Sequence, residues 1–594
     1  MTLPQAVIGN GNLVALVHPD SGIDWLCMPC FDSPSIFARL LDRERGGTWR
    51  FLPGGQEAEG QMRYVRNTNV VVTRFEDESG AWDLFDFIPR IPDGLRHRAP
   101  LRVVRLLRPV EGRPRVRCEF LPRPDYGLET PDLQRADSGL RFVADGELFT
   151  LTTNLPTDYV VNGTEFALDL PRFFVLDYGV PPGHIHIDDV KRDLDLTIAG
   201  WRQWVQNSNL PGFADSEVIR SALCLKLHAY EGTGAIIAAT TTSIPEAIGE
   251  PRTWDYRYCW LRDSVFTVEA LRRLAHFQEG RNFLRFVLDV AESGPLQPLY
   301  GIGGEREIPE RELDHLAGFH GTKPVRIGNA AAAQLQTDLM GEVVLCLRTM
   351  LVDERVDFRD PLVWLPLLER MVGESIDAFE TPDLGIWEYR GEPQLHTFSR
   401  AMCWAAVHHG AAVADRLGKA DLAEAWREEA GRMREQILER GFNERLGMFT
   451  QTFGCENPDA ANLLLPSIDL IEPTDPRFLS TLDRYRELLV RDRGVMRYVH
   501  EDDFGKPRST FTICSFWWVE ALALSGQLDE AVETFRSVVS HANPLGLFSE
   551  DIDADSGDLL GNFPQAYTHV GLINAAMTIG TLLKAREGNF HAWT

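Results

Sequence analysis

The feature that most limits what this chain can become is a change of hydrophobic period near residue 198. Before it, apolar residues come in short β-branched or aromatic runs such as "NLVALVHPDSGIDWLCMP", "TNVVVTRFEDESGAWDLFDFIPR" and "ELFTLTTNL". Clusters of Gly, Pro, Asp and Asn break these runs at the spacing of an antiparallel β-sandwich. After it, apolar residues recur at i, i+3, i+4 and i+7, the period of an amphipathic helix. Residues 1–198 therefore read as a β-sandwich domain, 199–215 as a linker with one helix, and 216–594 as a helical domain.

A chain of 594 residues exceeds what one hydrophobic core serves, so two domains are expected. The helical part contains twelve periodic segments and no strands of a parallel sheet. An economical arrangement is a double ring of six helical hairpins, an (α/α)6 barrel. "FTICSFWWVEALAL" is apolar on every side, as an inner helix must be, whereas "LAEAWREEAGRMREQILER" is amphipathic and suits the outer ring. A stacked solenoid fits the helix count, but no fixed-period repeat is present.

Sixty Lys and Arg against 87 Asp and Glu give a net charge of −27. That balance argues against nucleic acid and anionic membranes as partners and favours a small neutral substrate. The N-terminus lacks the basic and apolar regions of a secretory signal, and no apolar run spans a bilayer. Nine cysteines, scattered among apolar residues, read as reduced thiols of a cytoplasmic protein; the pair Cys27 and Cys30 reads as structural. Oligomeric state is left open.

Four loop-like segments concentrate aromatics and charges. In "TWDYRYCWLRDSVF" Trp254, Tyr256, Tyr258 and Trp260 alternate with Asp255 and Arg257, ahead of Arg262 and Asp263. "GIWEYRG" carries Trp387 and Glu388, "GVMRYVHEDDF" carries Arg497 and Tyr498, and "GLFSEDIDADSGDLLGNFPQAYTHVG" carries Glu550, Asp551 and Tyr567. Rings beside Arg and Asp suit a neutral polyol, with rings on C–H faces and charged groups on hydroxyls. Rings beside Glu388 would desolvate it and favour a protonated acid, while negative neighbours and water would suit Glu550 as a base. Inverting glycoside hydrolysis needs this division of labour. Taken singly, either glutamate reads as a solvated loop carboxylate.

Other signals carry less. "DIDADSGDLLGN" alternates Asp551, Asp553 and Asp555 like a calcium loop, but its glycine is late and Asn562 stands where a bidentate Glu belongs. No cofactor is expected to be required, and a structural cation near Asp551–Asp555 stays open. "GIGGERE" lacks the strand-to-helix context of a nucleotide site. His408 and His409, adjacent on one helix, read as packing or surface residues.

On these residues the sequence resembles glycoside hydrolase family 15, the glucoamylase and trehalase family, along nearly its whole length. "TWDYRYCWLRDSVFTVEAL" resembles the segment that grips the terminal glucose, "GIWEYRG" the general-acid segment and "GLFSEDIDADSGDLLGNFPQAYTHVGLINAA" the general-base segment. The resemblance implies that Glu388 is the acid and Glu550 the base. It implies that Arg262, Asp263 and Arg497 hold glucose hydroxyls, and that Tyr256, Tyr258, Trp260, Trp387 and Tyr567 contribute to substrate binding. The implied fold is an (α/α)6 barrel behind a β-sandwich. The implied activity is inverting exo-hydrolysis of a small α-glucoside, trehalose first. A glucoamylase or glucodextranase acting on maltooligosaccharides or isomaltooligosaccharides is the alternative. More remote are a disaccharide phosphorylase and a non-catalytic sugar-binding protein.

Overall fold

The structure, a computed structural model, describes residues 3–588 apart from residues 95, 357 and 359. Its N-terminal part is built of antiparallel sheets. In the eight-stranded sheet, Arg102–Gly112 pairs with Arg172–Tyr178 on one side and Gly80–Phe87 on the other. A four-stranded sheet (Ala6–Gly9 to Ser35–Phe37) and a three-stranded sheet containing Thr48–Pro53 share a core with one face of it. The side-chain period of two is visible on Arg102–Gly112. Val103 and Leu107 enter that core, while Val104 and Leu106 face the opposite way.

That second face is covered by helix α1 (Ile187–Gln206), whose Val190 and Leu194 pack on Val104 and Leu106. Further along, Trp201 and Val205 of the same helix join the core of the helical domain. The helix therefore begins inside the span that sequence periodicity assigns to the β domain. Its first half serves the sheet and its second half the barrel, so no break in hydrophobic pattern marks where one domain ends.

The helices that follow are α2 (Asp215–His228), α3 (Leu261–Arg273), α4 (Gln278–Glu292), α5 (Leu339–Val352), α6 (Leu365–Ala378) and α7 (Thr397–Arg416). Then come α8 (Ala420–Arg440), α9 (Pro476–Leu488), α10 (Thr512–Leu524), α11 (Leu528–Val539) and α12 (Ala566–Arg586). Six segments close an inner ring in the order α3, α5, α7, Ala460–Leu464, α10, α12 and back to α3. Helices α2, α4, α6, α8 and α11 pack outside it, and α9, paired to α11 through Arg486 and Glu530, completes the outer ring. Burial follows position. Helix α10 buries nearly every side chain, whereas α8 buries only the stripe Ala423, Trp426, Ala430, Met433 and Ile437.

One inner segment departs from expectation. "DAANLLLPSI" has helical periodicity but forms only a 3-10 turn, Ala460–Leu464. Asp459 caps it by accepting from the Ala461 amide at 2.9 Å, and Pro466 restricts Leu465 before a second turn can form.

Alternation of inner and outer helices makes the inner ones parallel, so their lead-in residues collect at one mouth of the barrel. Those residues are Trp260, Asp338, His396, Asp459, Phe511 and Gln565. The β domain is fixed to this end by Arg257. Its guanidinium bonds both oxygens of Asp255 at 2.9 and 2.7 Å, the Ser33 carbonyl at 2.9 Å and the Tyr126 hydroxyl at 2.9 Å. Both members of the Arg257–Asp255 pair are fully buried. Arg257→Met, which strands the Asp255 charge, is expected to destabilise the protein by about 3–5 kcal/mol, with recovery on adding Asp255→Asn. Chemical denaturation measures this; an unchanged unfolding midpoint would remove the pair from the account.

Candidate active site

The mouth of the barrel opens into a cavity walled by aromatic rings and charged side chains. Nine of the ten residues singled out from sequence line it: Tyr256, Trp260, Arg262, Asp263, Trp387, Glu388, Arg497, Glu550 and Tyr567. They come from segments hundreds of residues apart, and each segment is aimed by its own local structure.

Glu388 sits in a tight loop ahead of α7, where its amide bonds the Gly385 carbonyl at 3.1 Å and the Tyr389 amide bonds the Leu384 carbonyl at 3.1 Å. Its φ is +58°, the left-handed region that costs a non-glycine residue on the order of 1–3 kcal/mol. The turn directs the side chain toward α3. There Glu388 Oε1 accepts from Trp260 Nε1 at 2.8 Å and Arg262 Nη2 at 3.0 Å. Among the described residues, Oε2 accepts no hydrogen bond, and the side chain is 20% exposed.

Glu550 is differently placed. It lies on the edge of a small sheet in which Ser509–Phe511, Asp551–Asp553 and Leu559–Leu560 pair. Its amide bonds the Asn562 carbonyl at 3.1 Å, and its carbonyl accepts from the Thr512 amide at 3.0 Å. The carboxylate is buried; Oε1 accepts from the Tyr256 hydroxyl at 2.7 Å and Oε2 from the Asn562 amide at 3.4 Å. Burial, and then the charges of Asp551 and Glu246, hold this carboxyl well above the usual range, against the opposing pull of Tyr256 and Arg497. Asp551 is raised in the same way, by burial and Glu246. Glu550 and Asp551, both raised and side by side, titrate as a pair rather than singly.

Tyr256 and Trp260 stand edge to face with centroids 5.2 Å apart. One bonds Glu550 and the other Glu388, so a single ring pair spans the two carboxylates along one wall. The pair is held from behind: the Ala238 and Ala239 amides bond the Tyr258 and Tyr256 carbonyls at 3.2 and 2.9 Å.

Arg262 does more than face the cavity. Besides Glu388 it reaches Gln336 at 3.2 Å and Asp338 at 3.3 Å. Asp263 accepts no side-chain hydrogen bond among the described residues, and burial pushes it up to about 6 despite Arg262. Its oxygens remain available to a ligand. Arg497 is buried and pairs with Glu246, over the rings of Phe511 and Tyr498 at 5.4 and 5.6 Å. The ring of Tyr567 borders the cavity while resting on Phe266 and Trp517.

One expectation is corrected, and two further details of the site come from the structure. Tyr258 does not line the cavity; it stands one layer behind, in a cluster with Trp260, Leu299 and Ile308 that props the wall. The indole bonded to Glu388 belongs to Trp260, not Trp387. Trp387 donates to Asp459 at 2.9 Å and packs among Tyr498, Phe511 and Trp517. The aspartates of "DIDADSGD" do not converge. Asp553 caps a turn through the amides of Asp555 and Ser556 at 3.1 and 2.7 Å. Asp551 turns instead toward Glu246 and Glu550, and the ligand atoms of these three lie within 4.8 Å of one another. That spacing could hold a cation, although Arg497 already supplies positive charge there.

Sequence reasoning missed Glu246, Asp338 and Asp459. Glu246 lies in "SIPEAIGEPR", a stretch with no aromatic or charge pattern to draw attention. Its role rests on bonds to Trp254 at 3.1 Å and to Arg497.

Comparison with known proteins agrees with this geometry. The sequence profile described as Glycosyl hydrolases family 15 matches residues 212–577, and one described as Trehalase-like, N-terminal, matches residues 4–161. The chain is 33% identical to a trehalase of Thermoplasma volcanium, over 98% of this chain and 94% of that one. It is 35% identical to a trehalase of Mycobacterium tuberculosis, over 97% and 89% of the two chains. Among solved structures, a bacterial glucoamylase complexed with acarbose superposes with a TM-score of 0.68 at 14% identity, covering 99% and 96% of the two chains. That likeness establishes the fold, an antiparallel sheet domain followed by an (α/α)6 barrel. The chain belongs to glycosyl hydrolases family 15.

Proposed function

We propose that the protein is an inverting trehalase that hydrolyses trehalose with Glu388 as general acid and Glu550 as general base. The observation that carries this reading is the ring pair Tyr256–Trp260, which presents both glutamates to one cavity from opposite ends. Full-length relatives described as trehalases support the choice of substrate over longer glucans.

The two environments suit the two roles. Trp260 and Arg262 occupy Oε1 of Glu388, so a proton carried by this group sits on Oε2, the oxygen free to meet a glycosidic oxygen. Glu550 has Oε1 tied to Tyr256, while Oε2 meets only the distant Asn562 amide at 3.4 Å and keeps a lone pair for a water molecule. In the reaction, water attacks C1 of the terminal glucose as Glu550 takes its proton. The C1–O bond breaks as Glu388 protonates the leaving glucose, and inversion calls for carboxyls about 6.5–9.5 Å apart. Asp263, Arg262 and Arg497 hold hydroxyls of the terminal glucose, against the rings of Tyr256, Trp260, Trp387 and Tyr567. No cofactor is needed for these steps. No helix among the described residues is long and apolar enough to cross a membrane; with nine free cysteines, we place the enzyme in the cytoplasm.

Glu388→Gln and Glu550→Gln are each expected to lower kcat on trehalose by about two to four orders of magnitude, with the far-ultraviolet circular dichroism unchanged. Near-normal turnover in either would sink the assignment, and a higher kcat/KM on maltose or isomaltose than on trehalose would overturn the substrate. A base must be ionised to act, so activity falls as pH drops through the raised Glu550 titration. The acid limb of kcat/KM is therefore expected above the ordinary glutamate range of about 4.3. Asp551→Asn removes a neighbouring negative charge and should move that limb to lower pH; an unmoved limb would contradict the coupling.

A further inference from the structure

Behind Arg262, outside the lining of the cavity, lies a pair of carboxyl groups to which no role attaches. Asp338 precedes the first residue of α5, and Glu342 lies one turn later on the same face, its amide bonded to the Asp338 carbonyl at 3.1 Å. Both residues are wholly buried. Asp338 Oδ2 accepts from Arg262 at 3.3 Å. Asp338 Oδ1 and both oxygens of Glu342 have no partner and are closed to solvent. Glu342 borders the cavity at the opposite end of the barrel, yet its oxygens do not reach that space.

Three orphaned carboxylate oxygens side by side in a dry core are not a stable arrangement. A buried acceptor without a donor costs about 1–3 kcal/mol, more when charged, and two adjacent buried carboxylates do not both ionise. The one cation against them, Arg262, is shared with Glu388. The carboxyls of Asp338 and Glu342 are within hydrogen-bonding reach of each other, so a single proton between them supplies the missing donor.

We infer that Glu342 is a neutral carboxylic acid that donates a hydrogen bond to Asp338 Oδ1, a positioning residue that keeps Asp338 charged against Arg262 and so holds Arg262 against Glu388. The groups around it agree. Asp338 on its own helix and Asp263 on α3 repel a charge on Glu342, and Arg262 on α3 attracts one. Asp383 faces Asp338 but is drawn to Arg400 at 3.7 Å, and Tyr567 on α12 offers no cation. Burial and Asp338 outweigh Arg262 and hold Glu342 well above the carboxylate range. Asp338, nearer the guanidinium, is the member that keeps its charge.

The effect on turnover rests on the acid role proposed for Glu388; the shared proton does not, and two variants separate them. E342Q keeps a donor facing Asp338, whereas E342L leaves Asp338 unpartnered. Infrared difference spectra of the unliganded protein, parent minus E342Q near neutral pH, are expected to show the carbonyl stretch of an undissociated carboxylic acid. E342L is expected to lower kcat/KM on trehalose about tenfold, and E342Q to stay within about threefold of the parent. Absence of the acid band, or loss of activity in E342Q as large as in E342L, would overturn the inference. If E342L does not fold, the band and the activity of E342Q decide it. If trehalose is not turned over by the parent, the band alone decides the proton, and the fault lies with the proposed function.

Discussion

The guanidinium of Arg262, held between Asp338 and Glu388, is the interaction on which the cavity floor depends. Four carboxyl groups, Asp263, Asp338, Glu342 and Glu388, gather at this end of α3 and α5 in surroundings that exclude most water. Removing charges from water costs several kcal/mol each, and only close pairing offsets it. One planar cation, bonding in two directions, ties α3 to α5 and to the loop that carries Glu388. Elsewhere in the lining Arg497 pairs with Glu246, beside Glu550 and Asp551. The site is thus two clusters of acid, each arranged about one arginine, bridged by the ring pair Tyr256–Trp260.

The clusters differ in a way that bears on chemistry. Glu388 is partly solvated and has both its donors on one oxygen, leaving the other free. Glu550 is closed off and crowded by like charge, which makes it a stronger base when ionised and harder to ionise. A pair of carboxyls set in unlike surroundings is how one site performs acid and base steps together. Trp387 lines the cavity and also acts behind it. Its indole anchors Asp459, which burial pushes up to about 7, and its ring closes the aromatic wall beneath Tyr498.

Much of this was legible in the sequence because it rests on periodicity and on residues adjacent along the chain. The switch from period two to period 3.6 announces sheets followed by rings of helices, and "WLRD" and "GIWEYRG" carry their residues side by side. What escaped depends on contacts between distant segments. In "TWDYRYCW" alternation places Trp254, Tyr256 and Trp260 on the cavity side, yet Tyr258 packs behind the wall with Leu299 and Ile308, segments that the local pattern does not show. Glu246 sits in an unremarkable loop and matters only because Arg497, some 250 residues on, folds against it. The 3-10 turn at Ala460–Leu464 has a helical pattern that Pro466 cuts short, and α1 serves two cores at once, so no boundary shows in its composition.

The central claim is that two glutamates at the two ends of the Tyr256–Trp260 pair invert the configuration at one anomeric carbon. Hydrolysis of trehalose in water enriched with oxygen-18, followed by NMR before the anomers equilibrate, tests it most directly. Direct inverting attack yields one β-glucose carrying the label at C1 and one α-glucose without it. Label in α-glucose, with no β-glucose formed first, would mean retention and would contradict the account.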